Sequence, residues 1–127
     1  MTGAAARARP GTLLLVEDDI DIRIDLAEIL REEGYHVVTA GNGAEALSEL
    51  RAGLRPCLII LDLMMPGMNG WEFRDEQRRD PELAGVPVVV LSSISDIAHH
   101  ATALGAAGYL EKPVKLPALF EALARHC

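Results

Sequence analysis

The chain is short of several features that would each announce a class of protein. Its longest apolar runs fall well below the roughly 18 residues that a membrane-spanning helix needs. Residues 1–9 are rich in Ala and Arg but contain no apolar segment, so they do not read as a secretory signal. Basic residues are in the minority, 12 against 19 acidic, for a net charge of -7, which argues against direct nucleic-acid binding by this domain. Cysteine occurs twice: Cys57 opens an apolar segment and Cys127 is the last residue. That placement reads as a buried thiol and a loose end rather than a bridge, and points to a reducing cytoplasm. No repeat, low-complexity linker or second composition block divides the 127 residues.

What is present fits one folded domain. Half the residues are hydrophobic and the mean hydropathy is +0.16. A chain of this length can bury a core without staples. Residues 1–10 are expected to form a flexible tail and residues 11–127 the domain. The segment Leu58-Ile59-Ile60-Leu61-Asp62 is an apolar run ending on one aspartate, with Pro66-Gly67 soon after. It suits a strand buried on both faces, as in a parallel sheet. Thr12–Val16 and Pro87–Leu91 are similar runs, closed by Glu17-Asp18-Asp19 and Ser92-Ser93. Tyr35–Thr39 and Ala107–Leu110 are shorter strand candidates.

Between the strands lie amphipathic segments. Ile22, Leu26, Ile29 and Leu30 recur at helical spacing before a C-capping Gly34. Ala44–Arg51 follows, then the more polar Trp71–Arg79, whose Asp75–Arg79 reads as a solvated face. A short helix capped by Asp96 runs to Leu104. The last, Lys115–His126, turns Leu116, Leu119, Phe120 and Leu123 to one side. Five strands alternating with five helices imply right-handed crossovers and a covered parallel sheet. The order 2-1-3-4-5 is that of the flavodoxin-like doubly wound class and is taken over from it.

That order brings Glu17, Asp18 and Asp62 to one rim of the sheet. Two carboxylates about 4 Å apart repel by about 4 kcal/mol at an effective dielectric of about 20. Lys112, at the end of the fifth strand, is one source of compensation. A hard divalent cation such as Mg²⁺, which takes oxygen ligands and often phosphate oxygens, is the other. Acidic residues at loop–helix junctions also cap helices, and Asp19 and Asp21 are assigned that role. His99 and His100 are adjacent and point about 100° apart on a helix, which is not metal-pair spacing. They are read as surface residues, and Trp71 as packing or half-exposed surface.

Four segments together resemble the receiver domain of two-component response regulators. They are Leu15-Val16-Glu17-Asp18-Asp19, Leu61–Gly67 with Asn69-Gly70, Val90-Leu91-Ser92-Ser93, and Gly108–Pro113. Each is weak alone, but in this order and spacing they are specific. The resemblance runs from about Thr12 to the last helix. It implies that Asp62 is the phosphoacceptor and takes a phosphoryl group from a sensor histidine kinase or a histidine phosphotransfer protein. It implies Mg²⁺, with Mn²⁺ as a substitute, held by Asp18, by Glu17 through water, by Asp62 and by the Met64 backbone carbonyl. Lys112 would pair with phosphoryl oxygens, ahead of a cis bond to Pro113. Ser92 and Tyr109 would be the switch hydroxyl and aromatic.

The implied output is a shift of the face built from the fourth helix, fifth strand and fifth helix, read by an effector protein or domain. The implied role is that of a cytoplasmic phosphoprotein rather than an enzyme, away from membranes, with dimerisation left open. Met64 and Ile94, two residues beyond Asp62 and Ser92, cannot orient a water and point to slow phosphoryl loss. Two other readings stand beside this one. A phosphorylation-independent docking module would not need the full acid, hydroxyl and lysine set. An aspartyl-phosphate phosphohydrolase would want an acid where Met64 stands.

Overall fold

The computed structural model describes residues 11–127; the tail expected over residues 1–10 lies outside the described residues. Ten elements alternate: β1 (Thr12–Val16), α1 (Ile20–Glu32), β2 (His36–Ala40), α2 (Gly43–Arg51), β3 (Leu58–Asp62), α3 (Gly70–Arg79), β4 (Val88–Ser92), α4 (Ile97–Ala103), β5 (Gly108–Glu111) and α5 (Leu116–His126). The strands form one parallel sheet in the order β2-β1-β3-β4-β5. The doubly wound architecture expected from the sequence is what forms. Several ends are displaced by one residue from the sequence reading.

The continuous apolar runs follow from burial on both faces. Along β1 and β3, alternate residues turn to opposite sides. Leu14, Val16, Ile59 and Leu61 pack with α2, α3 and α4 through Ala46, Leu47, Leu50, Phe73, Ile97 and Ala101. Leu13, Leu15, Leu58 and Ile60 pack with α1 and α5 through Leu26, Ala27, Leu30, Leu119 and Leu123. Leu116 was expected inward with the other α5 leucines but is 40% exposed. It is the first residue of α5, where the helix has not yet settled over the sheet.

Two local expectations are revised. Asp96 takes the N-cap position of α4, but at φ 57° it makes no side-chain cap bond. The Asp75–Arg79 segment is not wholly solvated. Gln77 is completely buried and donates to the carbonyls of Leu83 and Val86, tying down the α3–β4 loop. Arg74, also buried, donates through Nε to Leu104 O (2.9 Å) and through a terminal nitrogen to Gly105 O (3.0 Å). Arg78 adds a further bond to Leu104 O at 3.1 Å. Two arginines of α3 thus satisfy carbonyls at the C-terminal end of α4, groups that a helix leaves unpaired.

The largest correction concerns the cysteines. Cys57 and Cys127 are joined by a disulfide, with Cα atoms 5.5 Å apart, so neither is a free thiol. In a parallel α/β fold each helix runs back against its strand. The end of α5 therefore arrives at the edge of the sheet where β3 begins, with Cys57 on the same side as Leu119 and Leu123. With both cysteines in the bridge, neither points to a reducing compartment. The bridge closes a sequence separation of 70 residues. Loop-closure entropy makes such a link worth up to about 4 kcal/mol. Cys57→Ser should lower unfolding stability by about 2–4 kcal/mol, measured by chemical denaturation of both proteins under non-reducing conditions.

Candidate functional site: an acidic pocket at the carboxyl rim of the sheet

The ladder register fixes which side chains meet. Val16 pairs with Leu61 and Asp62 with Leu91, so Glu17 and Asp18 leave β1 beside the end of β3. Ser92 pairs with Glu111, and the Lys112 backbone N–H donates to Ser92 O at 3.0 Å. Strands β1, β3, β4 and β5 therefore deliver Glu17, Asp18, Asp62, Ser92 and Lys112 to one rim, the ligand-binding rim of open α/β sheets.

Glu17, Asp18 and Asp62 each place a carboxylate oxygen within 4.8 Å of the others. Glu17 and Asp62 are buried, whereas Asp18 is exposed and marks the open side. Lys112 Nζ lies 2.8 Å from Glu17 Oε1 and 3.4 Å from Asp62 Oδ2. These contacts are charge pairings without hydrogen-bond alignment, so Glu17 Oε1 and Asp62 Oδ2 remain buried acceptors with no hydrogen bond. Their other oxygens are engaged: Glu17 Oε2 accepts from the Asp19 N–H and Asp62 Oδ1 from the Met64 N–H. The Asp19 side chain accepts from the Asp21 and Ile22 N–H groups. It is therefore the helix cap its position suggested.

One ammonium cannot balance three carboxylates. Burial first, then the neighbouring Glu17 carboxylate, push Asp62 up from 3.8 to about 8, against the opposing pull of Lys112. Burial alone would lower the Lys112 ammonium. The carboxylates of Glu17 and Asp62 outweigh it, and its pKa is raised. Two orphaned buried oxygens, a third carboxylate on the open side and a net negative pocket suit a hard cation with oxygen ligands. The donor set therefore fits Mg²⁺.

The surrounding residues carry the switch and access expectations. Ser92 is buried, and its Oγ accepts from the Ile94 N–H at 3.2 Å. This is the local backbone bond that a strand-end hydroxyl often makes. The hydroxyl hydrogen is still available to an acceptor. Tyr109 lies on β5 with its residue 44% exposed, away from the carboxylates. Met64 is 56% exposed and Ile94 half-buried. The Lys112–Pro113 bond is cis, as expected. His99 is exposed, while the rings of His100 and Trp71 meet edge-on at 5.5 Å, so Trp71 packs.

Sequence reasoning missed one positioning residue. Gly70, the first residue of α3, donates its N–H to Leu63 O. A Cβ there would come within 2.7 Å of Asp62 O and Leu63 Cα. The bare backbone lets α3 close against the strand end that holds the aspartate. The signal was in the sequence as the Asn-Gly pair of the loop, but only the fold shows what approaches it.

These features define the class of protein. Residues 13–124 match the family model described as response regulator receiver domain, and the chain belongs to that family. It is 41% identical to the transcriptional regulatory protein PdtaR of Mycobacterium tuberculosis, over 97% of this chain and 61% of that protein. It is 40% identical to the DNA-binding response regulator MtrA of Mycobacterium leprae, over 81% of this chain and 45% of that protein. The chain thus spans about three-fifths or less of the length of these relatives. Among solved structures, Vibrio cholerae chemotaxis protein CheY4 superimposes with a TM-score of 0.84 at 32% identity, covering 93% of this chain and 99% of that one. The Thermotoga maritima response regulator TrrA, in complex with Mg(2+)-BeF, gives 0.81 at 32% identity, covering 92% and 99%. The fold and family are those of a phospho-accepting two-component receiver, and the docking-only and phosphohydrolase readings are not favoured.

Two outcomes check this site. An Asp62 pKa raised on folding means that its contribution to stability is full below pH 4 and is lost as pH rises towards 8. In chelator-treated protein, Asp62→Asn should therefore raise the melting temperature at pH 8 and have little effect at pH 4. Gly70→Ala should cost about 1–3 kcal/mol by overpacking, read by denaturation, and weaken beryllofluoride binding.

Proposed function

We propose that Asp62 is the phosphoacceptor, receiving its phosphoryl group from a phosphohistidine of a sensor kinase or histidine phosphotransfer protein. The observation that carries this reading is the pair of buried oxygens, Glu17 Oε1 and Asp62 Oδ2, that face Lys112 but accept no hydrogen bond among the described residues. In the transfer, an Asp62 carboxylate oxygen forms the new bond to phosphorus as the phosphorus–nitrogen bond of the donor imidazole breaks. The electron pair returns to the imidazole. Phosphoryl transfer needs positioning and charge neutralisation above all.

Glu17, Asp18, Asp62 and the Met64 carbonyl would hold Mg²⁺, or Mn²⁺ in its place, which when bound neutralises charge on the transferring group. Lys112, already held by two carboxylates, supplies the other positive charge. The Ser92 hydroxyl, whose hydrogen is free, would donate to a phosphoryl oxygen. Tyr109 would then move inward from its exposed position, changing the α4–β5–α5 face presented to an effector protein or domain. On this reading the chain modifies itself without turning over a substrate, and it works in the cytoplasm, where the kinase phosphohistidine is made.

Acetyl phosphate or beryllofluoride with Mg²⁺ tests the proposal. With acetyl phosphate the wild type should gain one hydroxylamine-labile acyl phosphate by intact mass, and Asp62→Asn should gain none; beryllofluoride should bind the wild type without a covalent phosphate. Rapid phosphate release without accumulation would instead favour a hydrolase. The exposed Met64 side chain offers no group to orient a hydrolytic water. Met64→Asn or Met64→Glu should therefore shorten the acyl-phosphate half-life severalfold, followed by phosphate release; unchanged or slower decay would refute that role.

A further inference from the structure

We propose that the Cys57–Cys127 disulfide is a thiol-exchange site, a clasp that a dithiol reductant opens to release the last turn of α5. Four observations carry it. Cys127 is exposed and follows α5 directly, whereas Cys57 is half-buried against the sheet, so the bridge offers its outer sulfur to an incoming thiolate. The Thr12 carbonyl oxygen lies 3.4 Å from Cys57 Sγ. It is placed to accept the S–H that the reduced form would carry. Gly11 leaves room for that sulfur, since a Cβ at Gly11 would approach Cys57 Sγ to 3.0 Å. Finally, the stretch of α5 next to the bridge carries Arg125 and His126, which line a groove with Val89, Gly108 and Tyr109.

The exchange balances as follows. One thiolate of the reductant attacks Cys127 Sγ, forms a mixed disulfide and expels the Cys57 thiolate, which takes a proton and faces Thr12 O. The second reductant thiolate closes on the first, releasing Cys127 as a thiol and leaving the reductant as a disulfide. Two electrons and two protons pass to the protein. Disulfides that persist belong mainly to oxidising compartments, and those of the cytosol are mostly transient or redox-sensing. The clasp falls in the second group only if the cytoplasmic reading above holds. The phosphoacceptor lies at the opposite end of β3 from Cys57. Opening the clasp therefore changes the α5–β5 groove and leaves the acidic pocket intact.

The test uses this 127-residue chain, oxidised with glutathione disulfide and then treated with dithiothreitol. Thiol alkylation is read by intact mass, and hydrogen exchange is followed peptide by peptide. Two alkylatable thiols should appear only after reduction. At labelling times short against global unfolding, amides at the end of α5 should then exchange at least about tenfold faster, as local opening does, while β1 and β3, which open only with the whole domain, stay protected. Cys127→Ser should show the fast α5 exchange with or without reductant. Free thiols after oxidation, unaltered α5 exchange on reduction, or loss of β1 and β3 protection at those same short times would each overturn the proposal. Asp62 acetyl-phosphate labelling in the same samples separates the two readings: its loss in both redox states would refute the phosphoacceptor assignment and leave the clasp standing.

Discussion

The structure turns on a charge imbalance that folding creates and does not resolve. Glu17 and Asp62 are brought out of water beside each other, with Asp18 near and a single ammonium, Lys112, between them. Burying an unpaired charge is costly unless the group neutralises or finds a partner. The protein does some of each, with Asp62 pushed towards its protonated form and Lys112 held in its charged form. The remainder is left for a ligand. On the proposed function a cation would relieve the excess negative charge, and a phosphoryl group would then give Lys112 a second partner.

Everything else in the fold serves to hold that imbalance at one place. The sheet is parallel, so all five strands end on the same rim, and its two apolar layers leave no freedom of register. Sliding β1 by one residue against β3 would turn Glu17 to the other face and bury its neighbour instead. Gly70 and the Asn69–Glu72 capping box fix how α3 begins just beyond the aspartate.

Much of this was legible beforehand, for identifiable reasons. Strands buried on both faces advertise themselves as unbroken apolar runs, and each such run here ends on the polar residues that line the rim. The rest depends on pairs distant in sequence. Nothing near Gln77 reveals that the carbonyls of Leu83 and Val86 wait for it, because the demand comes from a loop that has not yet been folded. Cys57 and Cys127 looked independent because local context describes each residue separately. Their meeting follows only from the direction in which α5 runs over the sheet. Asp96 kept the cap position but not the cap bond, since its positive φ is set by the preceding loop.

The bonds from Arg74 and Arg78 to Leu104 and Gly105 have a mechanical consequence. They fasten one end of α4 by hydrogen bonds, while its other end begins at Asp96 with no side-chain cap bond and is held by the packing of Ile97. A rod bonded at one end and only packed at the other pivots more readily than it slides. Any displacement of α4 that keeps those arginines in place must swing about its fastened tip, with the widest arc at the end nearest Ser92. A lever of that kind would turn a small movement beside the pocket into a change of slope across the whole outer surface.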